Sequence, residues 1–309
     1  MSEFWDALEK GKHQREIIGS NIIPEESELE KAKKFLRRLG SPGHYEYIYK
    51  EKKGKQVKSS VSESHYKNGV STESLYKNVV DGKVVWDKDR VKDVHTPIIE
   101  SYLSKAKISE NPTVYLMMGA PGSGKGAVLD YLKEKGHLKK DLVVVDPDDI
   151  KTKKEHLGQD YEEYWKHHKD KASGLVHEEG SHLSNKIIKD LRKLKSELII
   201  DKTFTDYGSL TRTVSKFRHN GYSVKVIMAF QTSEIGHQNI KERFERTGRG
   251  VNPDYSKKSY ENIGPTSLKF VKHLPDGVSF EQWHAKKYGE APSRLYTKSG
   301  DKESGSMKV

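Results

Sequence analysis

Gly119, Gly124 and Lys125 stand at the spacing G-x-x-x-x-G-K, within Thr113-Val-Tyr-Leu-Met-Met-Gly-Ala-Pro-Gly-Ser-Gly-Lys-Gly-Ala-Val-Leu-Asp130. An apolar run precedes the glycines and a helical pattern follows them. A polyphosphate must lie against main-chain N–H groups, so side chains have to be absent where it approaches. The N-terminus of the following helix adds partial positive charge, and a lysine supplies a mobile cation for the β- and γ-phosphates. Gly119, Ala120, Pro121, Gly122, Ser123, Gly124, Lys125 and Gly126 are therefore the candidate phosphate cradle. Position 126 normally carries a hydroxyl that helps hold Mg²⁺. Here it is Gly126, followed by Ala127.

A second group of candidates sits after apolar runs. Leu142-Val-Val-Val145 leads into Asp146-Pro-Asp-Asp149, and Glu197-Leu-Ile-Ile-Asp201 ends in an acid followed by Lys202 and Thr203. Ligands of open α/β sheets bind outside the carboxyl ends of the strands. These acids should thus face the same crevice as the glycine loop, with Asp201 placed to position Mg²⁺. The competing reading is that Asp148 or Asp149 caps a helix starting at Ile150. Arg243 and Arg246 are three apart in Ile240-Lys-Glu-Arg-Phe-Glu-Arg-Thr-Gly-Arg-Gly250, and Arg249 lies just beyond in a Gly-flanked loop. Guanidinium groups there would clamp the charge that phosphoryl transfer spreads over three oxygens; alone, the segment would read as a basic surface helix. The stretch Tyr161–Ser196 reads as mostly helical and carries His177, Glu178, His182 and Asn185. His177 and His182 are five apart, which does not match the i, i+4 spacing of a zinc-binding helix.

The elements that must position these residues alternate. Helical patterns at Asp87–Lys107, after Lys125 to about Lys135, and at Leu210–His219 are interleaved with apolar runs at 113–118, 142–145, 197–201 and 222–230. Continuous apolar runs of that length read as buried parallel strands, and the alternation gives an α/β fold with a parallel sheet flanked by helices. Before it, residues 1–85 read as a small α+β N-terminal region: helices within 1–40, a strand at His44–Lys50, a turn at Lys53-Gly54 and a polar mobile linker at Ser59–Lys77. The main domain is expected over 86–288 and a flexible C-terminal tail over 289–309.

The chain has 309 residues, a formal net charge of +11 and no cysteine. That excludes disulfides, thiol nucleophiles and Cys-ligated metals. The basic residues are spread along the chain, which favours solvated faces over a nucleic-acid groove. No apolar run reaches membrane-span length, and the first residues lack a signal-peptide pattern. A cytoplasmic protein without membrane attachment is the expectation.

Taken together, several segments from about Trp86 to Leu274 resemble the zeta toxin family, small phosphate-loop kinases of bacteria and phages. They are Arg90–His95, Gly119–Lys125, Asp146-Pro-Asp-Asp-Ile-Lys151, Ala172-Ser with His177-Glu-Glu179, Leu198-Ile-Ile-Asp-Lys-Thr203, Gly221-Tyr222, and Arg243 with Arg249. The loop variant ending in Gly126 is also similar to that of adenylate kinases. The resemblance implies ATP- or GTP-dependent phosphorylation of a hydroxyl on a small metabolite, a nucleotide sugar such as UDP-N-acetylglucosamine. It implies Asp148 as general base, and Lys125, Arg243, Arg246 and Arg249 on the nucleotide phosphates. His177, Glu178, Asn185 and Thr203 would face the acceptor, and Asp201 the Mg²⁺. An antitoxin-like protein partner also follows from it, and the stretch Gly40-Ser-Pro-Gly-His-Tyr-Glu-Tyr-Ile-Tyr49, which is similar to segments of large phage-encoded proteins, favours a phage or mobile-element origin. Three positions depart from the family pattern: Gly126 for Ser or Thr, Asn185 for a substrate-binding Glu, and Lys202 for the Gly of an acid–Gly–Thr motif. Two other readings stay open, a nucleotide or nucleic-acid kinase and a nucleotide-binding structural or regulatory protein.

Overall fold

The computed structural model of the protein describes residues 63–80, 83–169, 171–247, 250–285 and 290–309. The helices expected within 1–40, the strand His44–Lys50 and the turn Lys53-Gly54 lie outside these residues.

Residues 63–77 of the stretch expected as a mobile linker are instead folded. With the segment that follows, they form two one-turn helices, α1 (Glu63–Lys67) and α2 (Thr72–Tyr76), and a hairpin of β1 (Lys77–Val80) and β2 (Lys83–Trp86). Ser71 caps α2 by accepting from the Ser74 N–H at 3.2 Å. The composition misled because aromatics, not aliphatics, do the packing: Tyr66 and Tyr76 are buried, and the Tyr66 hydroxyl donates to Asp160 at 2.6 Å. Next come α3 (Lys88–Arg90), a π-helical turn at Val91–His95 and α4 (Thr96–Leu103), which cover the helix expected at 87–107 as far as Leu103; Lys107 already belongs to a strand.

The central unit then alternates: β3 (Lys107–Ile108), β4 (Thr113–Met118), α5 (Lys125–Glu134), β5 (Val143–Val145), α6 (Pro147–Thr152), α7 (Gly158–His167), α8 (Ala172–Leu175), α9 (His177–Lys193), β6 (Ser196–Asp201), α10 (Tyr207–His219), β7 (Ser223–Phe230), α11 (Ser233–Thr247), α12 (Pro253–Lys272) and β8 (Val278–His284). Strands β5, β6, β4, β7 and β8 run parallel, with short β3 antiparallel at the start of β6. Side chains of β4 alternate between two cores. Val114, Leu116 and Met118 join the larger core, which includes residues of α4, α9, α10 and α12, and Tyr115 and Met117 join the smaller one with Val128, Leu129 and Leu132 of α5. Helices thus cover both faces, as a parallel sheet requires.

The expected flexible tail is also corrected. β9 (Ser293–Ser299) pairs antiparallel with β8, and β10 (Lys302–Gly305) with β9. Tyr296 is buried beside Phe280, and the Gln282 side chain bonds the Lys308 backbone in both directions at 2.6 and 2.7 Å. These strands read as polar because their outer face meets water. They cover an edge that β8 would otherwise leave unpaired.

Candidate active site

The glycine loop joins β4 to α5 and is packed from outside. Gly122 and Gly124 have φ of 76° and 82°, which L side chains rarely adopt. A Cβ on Gly122 would lie 2.2 Å from the Gly236 carbonyl oxygen, and one on Gly124 would lie 2.4 Å from the Ala285 Cβ. The Tyr260 hydroxyl donates to the Pro121 carbonyl at 2.9 Å, and the Asn239 amide to the Gly122 carbonyl at 2.9 Å. Lys125 donates to the Gly119 carbonyl at 3.0 Å, and its Nζ is 4.0 Å from Asp201 Oδ1. Ser123 Oγ is buried with no hydrogen-bond partner among the described residues. A Cβ at Gly126 would meet nothing within 4 Å. The loop therefore has space but no hydroxyl at the position that ordinarily assists a metal. Mg²⁺ commonly needs only one or two carboxylates beside phosphate oxygens and water, and Asp201 beside Lys125 fits that set.

Strand register brings the acids to the same end of the sheet. Met117 pairs with Asp201, and Val145 pairs with Ile200, so Asp146 emerges next to the end of β6. Asp146 itself caps α6, accepting from the Asp148 N–H at 2.8 Å. The helix starts at Pro147, so neither Asp148 nor Asp149 is the cap and no helix begins at Ile150. Asp148 is left half-exposed, its carboxylate 2.6 Å from Lys151 Nζ. Lys151 is buried and runs past Gly180 of α9, where a Cβ would lie 2.8 Å from its Cγ, to Ser173 Oγ at 3.3 Å.

On α9, burial and then the nearby Lys151 ammonium lower the His177 pKa, opposed by Glu178 and Asp148. Glu178 is exposed. Glu179 is fully buried; desolvation would raise its pKa, but hydrogen bonds from His95 at 2.7 Å and Arg90 at 2.8 Å outweigh it and bring it to about 2. Arg90 also donates to Asp160 at 2.6 Å. This buried network ties α3 and α7 to α9 and so sets where α9 lies. Asn185 Oδ1 accepts from Lys202 Nζ at 3.0 Å, and Thr203 Oγ1 is 2.8 Å from the Tyr255 hydroxyl. Phe204, buried and in the left-handed region at φ 48°, turns the chain directly after Thr203.

A family model for zeta toxin matches residues 99–279. The chain belongs to the zeta toxin family. Solved structures agree at the level of fold. The toxin–antitoxin system PezAT of Streptococcus pneumoniae gives a match at 14% identity and a TM-score of 0.56, covering 69% of this chain and 82% of that one. The AvrRxo1-ORF1:AvrRxo1-ORF2 complex with sulphate ions matches at 16% identity and a TM-score of 0.58, covering 76% and 79%. The same pair with ATP matches at 15% identity and 0.56, also covering 76% and 79%. No curated protein sequence matches the chain.

Of the residues expected in the zeta toxin site, Lys125, Asp201 and Thr203 share one crevice with the loop; Thr203 joins through its carbonyl, which accepts from the Gly119 N–H at 3.1 Å. Arg243 and Arg246 lie on α11 at i+4 and i+7 from Asn239, on the stripe whose Asn239 bonds the loop. Arg249 lies outside the described residues. Sequence reasoning missed Asn239, Tyr255 and Tyr260, which meet the site only through long-range packing. It also passed over Lys151, although its i+3 spacing from Asp148 was a readable signal.

Proposed function

We propose that this zeta toxin family chain is an ATP- or GTP-dependent phosphotransferase acting on a hydroxyl of a small metabolite, a nucleotide sugar such as UDP-N-acetylglucosamine. What supports this reading most is Lys125 held between the Gly119 carbonyl and Asp201 at the mouth of a glycine loop. Loop N–H groups and Lys125 bind the donor phosphates, and Arg243, Arg246 and Arg249 clamp them as charge moves toward the leaving oxygen. Asp201 holds Mg²⁺, which when bound neutralises phosphate charge. Asp148 takes the acceptor's hydroxyl proton. Before the acceptor arrives, the Lys151 ammonium holds that carboxylate in place at 2.6 Å. His177, whose pKa desolvation and Lys151 lower, can accept or donate one acceptor hydrogen bond, and Glu178, Asn185 and Thr203 are assigned to the acceptor with it.

An antitoxin-like protein is the proposed partner, in the cytoplasm of a bacterial or phage-infected cell; the PezAT match supports it through a system described as toxin–antitoxin. None of the described helices is long and apolar enough to cross a membrane. A second reading, a nucleotide-binding regulatory protein with little turnover, draws on one observation, the Gly126-Ala127 pair that removes the hydroxyls next to Lys125.

The test is mass-spectrometric. Protein is incubated with ATP or GTP, Mg²⁺ and a pool of nucleotide sugars and nucleosides, with Asp148→Asn as control. The expected result is a phosphorylated UDP-N-acetyl sugar that the control lowers by about 10²-fold or more while nucleotide binding persists. Nucleotide binding without acceptor-dependent transfer overturns the phosphotransferase reading in favour of the regulatory one.

A further inference from the structure

The cations of the crevice are not equally matched. Lys125 faces Asp201 at 4.0 Å, and Lys151 faces Asp148 at 2.6 Å. Lys202, the next residue after Asp201, has no carboxylate partner among the described residues. The hydrogen bond of its ammonium runs to the neutral Asn185 amide at 3.0 Å. Lys202 is partly buried at the end of β6. A partly buried ammonium without a counter-charge is an unfavourable arrangement that a ligand of opposite charge relieves.

The amide partner sharpens the chemistry. A lysine has donors and no acceptor, so it is the Asn185 oxygen that must face it. That leaves Asn185 Nδ2 with two N–H donors directed away from the lysine. The pair therefore presents only donors: the remaining ammonium protons and an NH₂ group. A sugar hydroxyl, both donor and acceptor, would be recognised equally well by a carboxylate or an amide oxygen. A donor-only pair is complementary to an oxyanion. The position is on the acceptor's side, because Asn185 belongs to α9 with His177 and Glu178, while the donor phosphates have their own cation in Lys125. Thr203 and the left-handed Phe204 fix the turn that presents Lys202.

We infer that Lys202 and Asn185 form a subsite for an oxyanion of the acceptor, a phosphate or a carboxylate close to the hydroxyl that is phosphorylated. The inference rests on the phosphotransferase reading for the word acceptor, and it narrows the substrate class to anionic molecules. It assigns the two departures from the family pattern, Lys202 and Asn185, to one purpose.

The test separates the two ideas. Protein saturated with a non-hydrolysable ATP analogue and Mg²⁺ is titrated calorimetrically with N-acetylglucosamine, N-acetylglucosamine 1-phosphate and glucuronic acid. The expected result is that one anionic sugar binds at least about tenfold tighter than the neutral one, the worth of a charged hydrogen bond. Which of the two does so distinguishes phosphate from carboxylate. Lys202→Gln abolishes the preference, and Lys202→Arg, which keeps the charge, retains it. The affinity for the ATP analogue in Lys202→Gln shows that the variant is folded. The subsite is overturned if none of the three binds, if the neutral sugar binds as tightly as the anionic ones, or if Lys202→Gln keeps the preference. It is also overturned if Lys202→Gln weakens the nucleotide alone. A Lys202-dependent preference without phosphate transfer to any of the sugars leaves the subsite standing and removes the phosphotransferase reading. Transfer without a charge preference does the reverse.

Discussion

On the assignment proposed above, the donor side and the acceptor side of the crevice are built differently. The donor side is mostly backbone: glycines at positive φ, carbonyls held by Tyr260 and Asn239, and one lysine. Little can vary there, because a Cβ at Gly122 or Gly124 would collide with Gly236 or Ala285. The acceptor side is made of side chains on α6, α9 and just past the end of β6; Asp148 is held by Lys151 of its own helix, while Lys151, Asn185 and Thr203 each have a partner on another element. Such a surface can change its chemistry one residue at a time while the fold stays. That is where this chain departs most from its family, and its one departure on the donor side, Gly126, falls where a side chain meets nothing.

The sharpest way to break this contrast is to remove each side's central group. Lys125→Ala should lower nucleotide affinity and turnover together, by about 10³-fold in turnover. Asp148→Asn should spare nucleotide affinity, as measured by titration, and lose only transfer. If both variants lose nucleotide binding alike, the two sides are not separable. Gly124→Ala comes next. The left-handed backbone and the 2.4 Å approach to Ala285 predict about 1–3 kcal/mol of strain, seen as weaker nucleotide binding with acceptor binding kept.

Acid should also discriminate. Desolvation holds His156, His177 and His182 below their ordinary 6.5, and all three lie on α9 or in the segment between α6 and α7. The unfolded chain then binds more protons than the folded one as pH falls below 6.5, so stability is lost in that direction. Amide protection factors, taken against the intrinsic exchange rate at each pH, should fall in α6–α9 between about pH 7 and 5 before they do in β4 and α5; a uniform fall would count against the contrast. Glu179 adds a later loss. Its depressed pKa, about 2, gives stability that is present above its ordinary 4.5 and falls away toward pH 2. The smallest effect is expected from Gly126→Ser. The site has room for the side chain, and the restored hydroxyl should tighten Mg²⁺-dependent nucleotide binding about two- to tenfold, the worth of roughly 1 kcal/mol. Unchanged affinity with and without Mg²⁺ would show that the metal does not reach position 126.

The amino-acid sequence by itself determined the alternation of strands and helices, the glycine loop with Lys125, and the acids at strand ends, because these depend on local spacing and backbone preference. It misread 63–77 and 290–309 as mobile, because polar composition does not reveal that Tyr66, Tyr76 and Tyr296 are buried against residues elsewhere in the chain. It also could not tell that Asp146, and not Asp148 or Asp149, would take the cap, since three acids within four residues satisfy the same local rule. Only the tertiary structure decided that Lys202 meets an amide instead of a carboxylate. That pairing joins β6 to α9 across the crevice, and no local spacing encodes it.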